Sequence, residues 1–470
     1  MAEIKFGTDG WRAVIAEDFT FANVGRVAQA VADYYKERMG EKGLVVGYDT
    51  RFLSREFAEL VAEVLTANDL PVILSRQDLP TQCISFAIQT EKLAGGIMVS
   101  ASHNPPKFNG IKIRESYGGS APPEVTREIE ALLGKSRVKR VPLEEAGKKG
   151  LLKREDITEG YLEKVKSFLD SDLIERAHLK IVHDPMFGVG DGLIEKILET
   201  SECKVLTIHH KYNPGFGGLA PEPIEENLEA LKIRVKEEKA DLGLATDGDA
   251  DRAGVVDDKG RYLTTHQVFS LLLLYLVEGR GLRGGVAKTV SLGYQPKRIA
   301  DNFGLSLDEV PVGFKFVCDK MLEKDVLFGG EESGGYGYRG HLMERDGILS
   351  CLLFVEMLTR LGKPLSRILE EMEARFGASF FRRVDLERSG VDKERMIKAL
   401  SLSYPSSLGG VPVGEVKTLD GIKFVMDDGS WLLIRPSGTE PKVRVYAEAP
   451  SEAQLRRIVD EGVKMAERAV

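Results

Sequence analysis

Long hydrophobic runs are missing from this sequence. The longest apolar stretch, Val268 to Val277 with one serine, is too short to span a bilayer and reads as a buried helix, so no membrane partner is expected. The opening residues, Met-Ala-Glu-Ile-Lys-Phe-Gly-Thr-Asp-Gly, hold no apolar core of a signal peptide. Cysteine is scarce: Cys83, Cys203, Cys318 and Cys351 stand far apart and form no CxxC pair. That argues against thiolate-metal and redox chemistry and for a reducing, cytoplasmic setting. A basic excess is also absent, with a net charge of −8. Nucleic-acid binders carry the opposite balance, although an acidic chain still takes phosphates if its cations gather in one cleft.

What is present is ample material for a core. The 470 residues are 43% hydrophobic and 29% charged, enough for roughly three or four domains at about 100–200 residues each. After a loop-like start, Thr20 caps a helical pattern of Phe21, Val24, Val27, Ala28, Val31 and Tyr35. The strand Leu44 to Tyr48 ends in Asp49-Thr50-Arg51, and Ser54 is read as the cap of the next helix. Strands at 70–75, 95–100 and 110–114 and a helix near 81–90 follow. Residues 134–156 break the pattern, and the charge run from Lys135 to Lys149 reads as a solvated linker. Strand–helix alternation resumes from 158 to 361. Its polar strand ends at 184–188 and 247–252 resemble 49–51, which predicts three similar mixed α/β domains with mostly parallel sheets. Strand patterns at 380–386, 422–426, 431–434 and 443–447, with a turn at Asp427-Asp428-Gly429, predict a C-terminal α+β domain. The expected boundaries are 1–150, 151–255, 256–373 and 374–470.

Three stretches carry chemistry. The first is Met98-Val-Ser-Ala-Ser-His-Asn-Pro105, a hydroxyl, an imidazole and an amide on a turn after a buried strand, with Pro105-Pro106 forbidding a helix. Alone it reads equally as a turn closing a strand. The second is Asp247, Asp249 and Asp251, alternating with Gly and Ala after an apolar strand. Carboxylates so close repel one another unless a cation sits among them, and hard oxygen ligands suit Mg²⁺, Mn²⁺ or Ca²⁺. An EF-hand loop is excluded, because Arg252 and Asp258 stand where its glycine and bidentate glutamate belong. The third is Arg435-Pro-Ser-Gly-Thr-Glu440, a phosphate cradle by composition, with Arg444 one strand later. The glycine loop 329–335, with two acids and a serine, suits sugar hydroxyls. Asp49, Arg51 and Lys112 are polar groups at strand ends, each of which reads as structural when taken alone.

Their order along the chain decides between these readings. Phe6 to Arg12, the Ser102 to Pro106 loop running into Asn109-Gly-Ile-Lys-Ile113, the Asp247 to Arg252 loop, the Gly330 to Gly335 loop and the Arg435 to Arg444 stretch together resemble the α-D-phosphohexomutases, over essentially the whole chain. The resemblance implies four domains around a central cleft and an intramolecular phosphotransferase acting on small phosphosugars. It implies that Ser102 is the phosphoserine and that Asp247, Asp249 and Asp251, with the Ser102 phosphate, hold Mg²⁺. Arg252 would pair with that phosphate, and Arg12, His103 and Lys112 would lie near the reacting oxygens. His341 stands where several members keep a histidine. Glu331 and Ser333 would grip sugar hydroxyls, and Arg435, Ser437, Gly438, Thr439 and Arg444 the distal phosphate. A bisphosphate such as glucose 1,6-bisphosphate is the implied intermediate and activator, and a monomer or homodimer the expected assembly.

Within that resemblance the Glu-Glu-Ser loop favours glucose, with mannose also plausible. Phosphoglucosamine mutases more often carry Gln where Glu332 stands and His where Gly335 stands. A phosphoglucosamine or pentose phosphate mutase of the same family remains an alternative, as does a non-catalytic sugar-phosphate-binding protein, although the last needs a broken motif and none is found.

Overall fold

A computed structural model describes residues 4–38, 42–388, 390–436 and 442–469. The chain forms two compact units, Met1–Tyr262 with Gly334–Leu365, and Leu263–Ser333 with Ser366–Val470.

The first unit holds two mixed sheets. In the first sheet, β1 (Trp11–Val14), β2 (Leu44–Tyr48), β3 (Val72–Ser75), β4 (Gly95–Val99), β5 (Phe108–Glu115) and β6 (Leu152–Glu155) lie in the order β1-β5-β4-β2-β3-β6. The β4-β2-β3-β6 part is parallel, whereas β5 runs antiparallel to both β4 and β1. Helix Phe21–Lys36 buries Val24, Val27, Ala28 and Val31 at helical spacing, and its Thr20 hydroxyl accepts the Asn23 N–H at 3.3 Å. In the second sheet, β7 (Lys180–Asp184), β8 (Lys204–Thr207), β9 (Leu242–Thr246), β10 (Ala253–Val256) and β11 (Tyr262–Leu263) lie in the order β11-β10-β9-β7-β8. Here β9-β7-β8 is parallel and the β9–β10 hairpin turns back across the three aspartates.

The second unit holds three parallel strands and an antiparallel sheet. Strand Gly285–Thr289 lies between Leu307–Val310 and Val326–Gly330, parallel to both. The C-terminal sheet runs Phe380–Glu387, Lys442–Ala449, Trp431–Pro436, Ile422–Met426, Val411–Lys417 and Ser407–Leu408, antiparallel wherever strands meet. Helix Glu452–Ala469 covers one face through Leu455, Ile458 and Val459. Among the described residues no helix is long and apolar enough to cross a membrane.

The structure departs from the sequence reading in three places. The first residues are not all loop, because β1 pairs with β5. Residues 134–156 are not only a linker: they carry helix Leu143–Lys148 and β6, which extends the first sheet past residue 150. Ser54 is the first helical residue, not the cap. The cap is Leu53, and the Ser54 hydroxyl donates instead to Asp49 at 2.6 Å.

Candidate active site

Ser102 follows β4 in the left-handed conformation, φ 50°, and is 1% exposed. A residue with a Cβ adopts this conformation only when its surroundings impose it. Its N–H donates to Ser100 Oγ at 2.8 Å and its own Oγ donates to Asp247 Oδ2 at 2.8 Å. His103 Nδ1 lies 3.4 Å from that hydroxyl. Strand register supplies two more groups. Met98 faces Lys112 across β4–β5, and Gly110 faces Arg12 across β5–β1. Lys112 Nζ thereby reaches Asp249 Oδ2 at 2.5 Å, Asp251 Oδ2 at 3.1 Å and Asp9 at 3.2 Å, while Arg12 Nη1 donates to Asn104 Oδ1 at 2.6 Å.

Asp247, Asp249 and Asp251 are fully buried, and one ligand atom from each lies within 4.8 Å of the others. Asp247 Oδ1 accepts the Arg252 N–H at 3.1 Å, Asp249 Oδ2 accepts from Thr81 Oγ1, and Asp251 Oδ2 accepts from Arg345 Nη2 at 2.6 Å. Burial, then the Asp251 and Asp249 charges, push the Asp247 carboxyl well above its ordinary pKa. Burial acts the same way on Asp249, but Lys112 beside it outweighs that and holds its pKa down. The second oxygens of Asp249 and Asp251 are buried with no hydrogen-bond partner. Three clustered carboxylates, a raised pKa at Asp247 and two orphaned oxygens fit a hard divalent cation such as Mg²⁺.

His103 is pressed toward its neutral form. Burial, then Arg252, Arg12, Lys112 and Arg51, hold its pKa well below the usual value. Burial would also strip the proton from Lys112, but Asp249, Asp251 and Asp9 raise its pKa instead. Arg252 Nη1 donates to Glu222 Oε1 at 3.0 Å. His341 sits differently. Its Nε2 lies 2.7 Å from Asp346 Oδ2, which also accepts from Tyr161, and its ring meets Phe168 edge-on.

The remaining candidates belong to the second unit. Glu331 is buried at the end of strand Val326–Gly330, and Ser333 is half-buried. Arg435 and Arg444 are direct cross-strand partners. Each cation has its own carboxylate: Arg435 Nε donates to Asp420 Oδ2 at 2.7 Å, and Arg444 Nε lies 3.8 Å from Asp385 Oδ2. Ser437, Gly438 and Thr439 lie outside the described residues.

The phosphoglucomutase/phosphomannomutase family models match in chain order: α/β/α domain I over residues 3–139, domain II over 159–260, domain III over 264–376 and the C-terminal domain over 367–465. The chain belongs to the α-D-phosphohexomutase family. As a phosphohexomutase it is an intramolecular phosphotransferase. It is 31% identical over 466 residues to a Thermococcus kodakarensis phosphoglucomutase/phosphomannomutase, covering 99% of each chain. A probable phosphoglucosamine mutase of Methanothermobacter thermautotrophicus is also 31% identical, over 96% of this chain and 95% of its own length. A crystal structure from Thermus thermophilus, provisionally assigned as a phosphomannomutase, superposes with a TM-score of 0.88 at 36% identity, over 99% of both chains.

The cluster around Ser102 and the three aspartates contains residues that sequence reasoning passed over. Asp9, which accepts from Arg114 and Arg345 at 2.8 Å each, had no signal beyond its glycine-flanked turn. Glu222 sits in a proline-rich loop, and Arg345 is 94 residues from Asp251, the second aspartate it touches. The pair Asp49 and Arg51 was visible at a strand end, although its target was not.

Proposed function

We propose that the protein interconverts hexose 1-phosphates and hexose 6-phosphates, with glucose favoured and mannose possible, through a phosphoryl group carried on Ser102 and a bisphosphorylated sugar intermediate. The observation that carries this reading is the Ser102 hydroxyl 2.8 Å from Asp247 inside a buried aspartate triad. Acyl transfer has no use for three clustered carboxylates fitted to a divalent cation. A phosphate carrier needs positive charge at its transferring oxygens.

Asp247, Asp249 and Asp251, with the phosphate on Ser102, would hold Mg²⁺. Bound there, the ion neutralises charge on the phosphoryl oxygens. Arg252, Arg12 and Lys112 supply further fixed positive charge at the same serine. The neutral His103 is the group fitted to accept the proton of an attacking sugar hydroxyl, a contribution of typically about 10²–10⁴ in rate. Lys112, held as an ammonium, is fitted to stabilise charge. No proton step is given to His341, whose ring is committed to Asp346. Glu331 and Ser333 would take sugar hydroxyls, and Arg435 and Arg444, with Ser437, Gly438 and Thr439, the phosphate that is not reacting. Glucose 1,6-bisphosphate would serve as intermediate and activator.

The preference for glucose over glucosamine has one structural support. A Cβ placed on Gly335 would run into Arg345 Cδ, so the histidine common in phosphoglucosamine mutases would require the Arg345 side chain to move. The test is conversion of glucose 1-phosphate to glucose 6-phosphate, run beside mannose, glucosamine and ribose 1-phosphates. Ser102→Ala is expected to abolish all conversion, and retained turnover would sink the Ser102 assignment.

A further inference from the structure

Arg51 lies at the turn after β2, is 1% exposed, and meets none of the metal or sugar candidates through a side-chain to side-chain hydrogen bond. All its side-chain hydrogen bonds go to one loop. Nη2 donates to the carbonyls of Ser102 at 2.5 Å and Asn104 at 2.6 Å, and Nη1 to those of Pro105 at 3.0 Å and Phe108 at 3.1 Å. The guanidinium is anchored in turn. Asp49 Oδ2 is 3.2 Å from its Nε, and Asp49 Oδ1 accepts the Arg51 N–H at 3.0 Å and the Ser54 hydroxyl at 2.6 Å. Ser54 Oγ accepts from Asn109 Nδ2 at 2.9 Å, which returns to the strand leaving the loop. Phe216 covers the guanidinium with its ring centroid 4.9 Å away. Asp49, Arg51, Ser54 and Asn109 thus form a closed collar around an irregular loop that has no helix or sheet of its own.

The loop needs such a collar. Pro105-Pro106 keeps it out of a helix, and Ser102 is held at a backbone angle that favours glycine. Glycine cannot serve there, because the hydroxyl is the reacting group. A planar guanidinium with donors along two edges suits four carbonyls around one point, whereas an ammonium has three donors on a single atom.

We propose that Arg51 is a positioning residue for phosphoryl transfer: it fixes the 102–108 loop through four carbonyls so that Ser102 Oγ faces Asp247 before any substrate arrives. This rests on the reading of Ser102 as the phosphate carrier. The four carbonyls call for the shape of Arg51 as well as its charge.

The test uses the full-length protein and glucose 1-phosphate. Arg51→Lys keeps the charge and loses the fork, so kcat is expected to fall about 100-fold with KM held within about twofold. Arg51→Ala is expected to lose more and to recover part of its kcat when guanidinium ion is added, which a lost packing contact would not do. If Arg51→Lys does not fold, Asp49→Asn keeps the guanidinium and removes its anchor, with about a tenfold loss of kcat at constant KM expected. A folded Arg51→Lys or Asp49→Asn with kcat within about threefold of wild type, or a kcat loss that only tracks the folded fraction, overturns the inference. Intact mass separates this from the underlying reading. A turning-over wild type that never gains a phosphate from glucose 1,6-bisphosphate overturns the carrier role itself, whereas a wild type that loads normally beside unaffected Arg51 variants overturns only the collar.

Discussion

Replacing Gly248 by alanine tests the central contact of the site with a single methyl group. Gly248 lies between two of the aspartates, where the metal loop meets the serine loop backbone to backbone. A Cβ there would stand 2.7 Å from the Ser102 carbonyl oxygen and 3.1 Å from Pro221 Cγ, where ordinary contact begins at 3.4 Å. The shortfall toward Ser102 is about 0.7 Å in a close-packed interior. The carbonyl is tethered, because Arg51 Nη2 donates to it at 2.5 Å. The 247–251 turn must move instead, and it carries Asp247 away from the hydroxyl it now meets at 2.8 Å. Overpacking of this kind costs about 1–3 kcal/mol of stability. A displacement approaching 1 Å at reacting groups costs up to about 100-fold in rate. We therefore expect Gly248→Ala to fold, to melt lower, and to lose about 10- to 100-fold in kcat on glucose 1-phosphate, with a weaker response to added Mg²⁺. The control is Gly147→Ala, in helix Leu143–Lys148, where a Cβ meets nothing within 4 Å. It should leave turnover unchanged and add about 0.5–1 kcal/mol of stability. If Gly248→Ala keeps kcat within about threefold of wild type, the close approach of the two loops is not what sets the rate.

Three further outcomes are expected. Chelation of divalent metal should abolish turnover and added Mg²⁺ should restore it; full activity in excess chelator would remove the metal role of the aspartates. Arg435→Gln takes a charge from the cross-strand arginine pair while Lys393 still holds Asp420 at 2.6 Å, so KM should rise by about 10- to 100-fold, the worth of a charged hydrogen bond, with little change in kcat; an unchanged KM would exclude Arg435 from phosphate binding. Lys423 is buried under Trp431, and burial, then neighbouring Lys288, bring its pKa down to about 7 because Glu309 lies closer to Lys288, at 2.7 Å against 3.3 Å. Its folded pKa lies below its unfolded value of 10.5, so the unfolded chain binds the extra proton between them. Stability then rises with pH across that window and is lost as pH falls to about 7, by at most about 1.4 kcal/mol per unit relative to Lys423→Met, measured as denaturant midpoints; a pH-independent difference between the two proteins would refute the shift.

How much of this site was legible in the sequence depended on the distance over which each contact is made. The aspartate triad could be read directly, because alternation with small residues after an apolar strand is a local pattern and repulsion among three carboxylates is a local problem. Ser102 was legible as a candidate for the same reason, and Lys112 needed only the pairing of β4 with β5. The partners that hold these groups are spread far along the chain. Thr81 and Asp249 are 168 residues apart, and Asp9 and Arg345 are 336 apart. No periodicity announces such pairs, because the packing of one sheet's loops against another's creates them. Ser54 shows how a local rule misleads: a serine before an apolar helical pattern reads as a cap, yet its hydroxyl is claimed by Asp49, and Leu53 takes the cap position at φ 61°.

The same spread of contacts separates the work of the two units. Every attachment of Ser102 lies within the first unit: its carbonyl to Arg51, its N–H to Ser100, its hydroxyl to Asp247. The serine is therefore oriented by its own unit with no ligand required, and its proposed readiness to carry a phosphate should not depend on the residues proposed to grip the sugar. Arg435, Arg444, Glu331 and Ser333 all belong to the second unit. Interactions made equally in ground and transition states change KM, and those that align reacting atoms change kcat. A variant of Arg51 or Gly248 should thus bind substrate normally and transfer slowly, whereas a variant of Arg435 should load Ser102 at high bisphosphate concentration and bind substrate poorly. If an Arg435 variant could not be loaded at any concentration, the orientation of Ser102 would have to be shared with the second unit, and the preorganisation argued from its three attachments would be wrong.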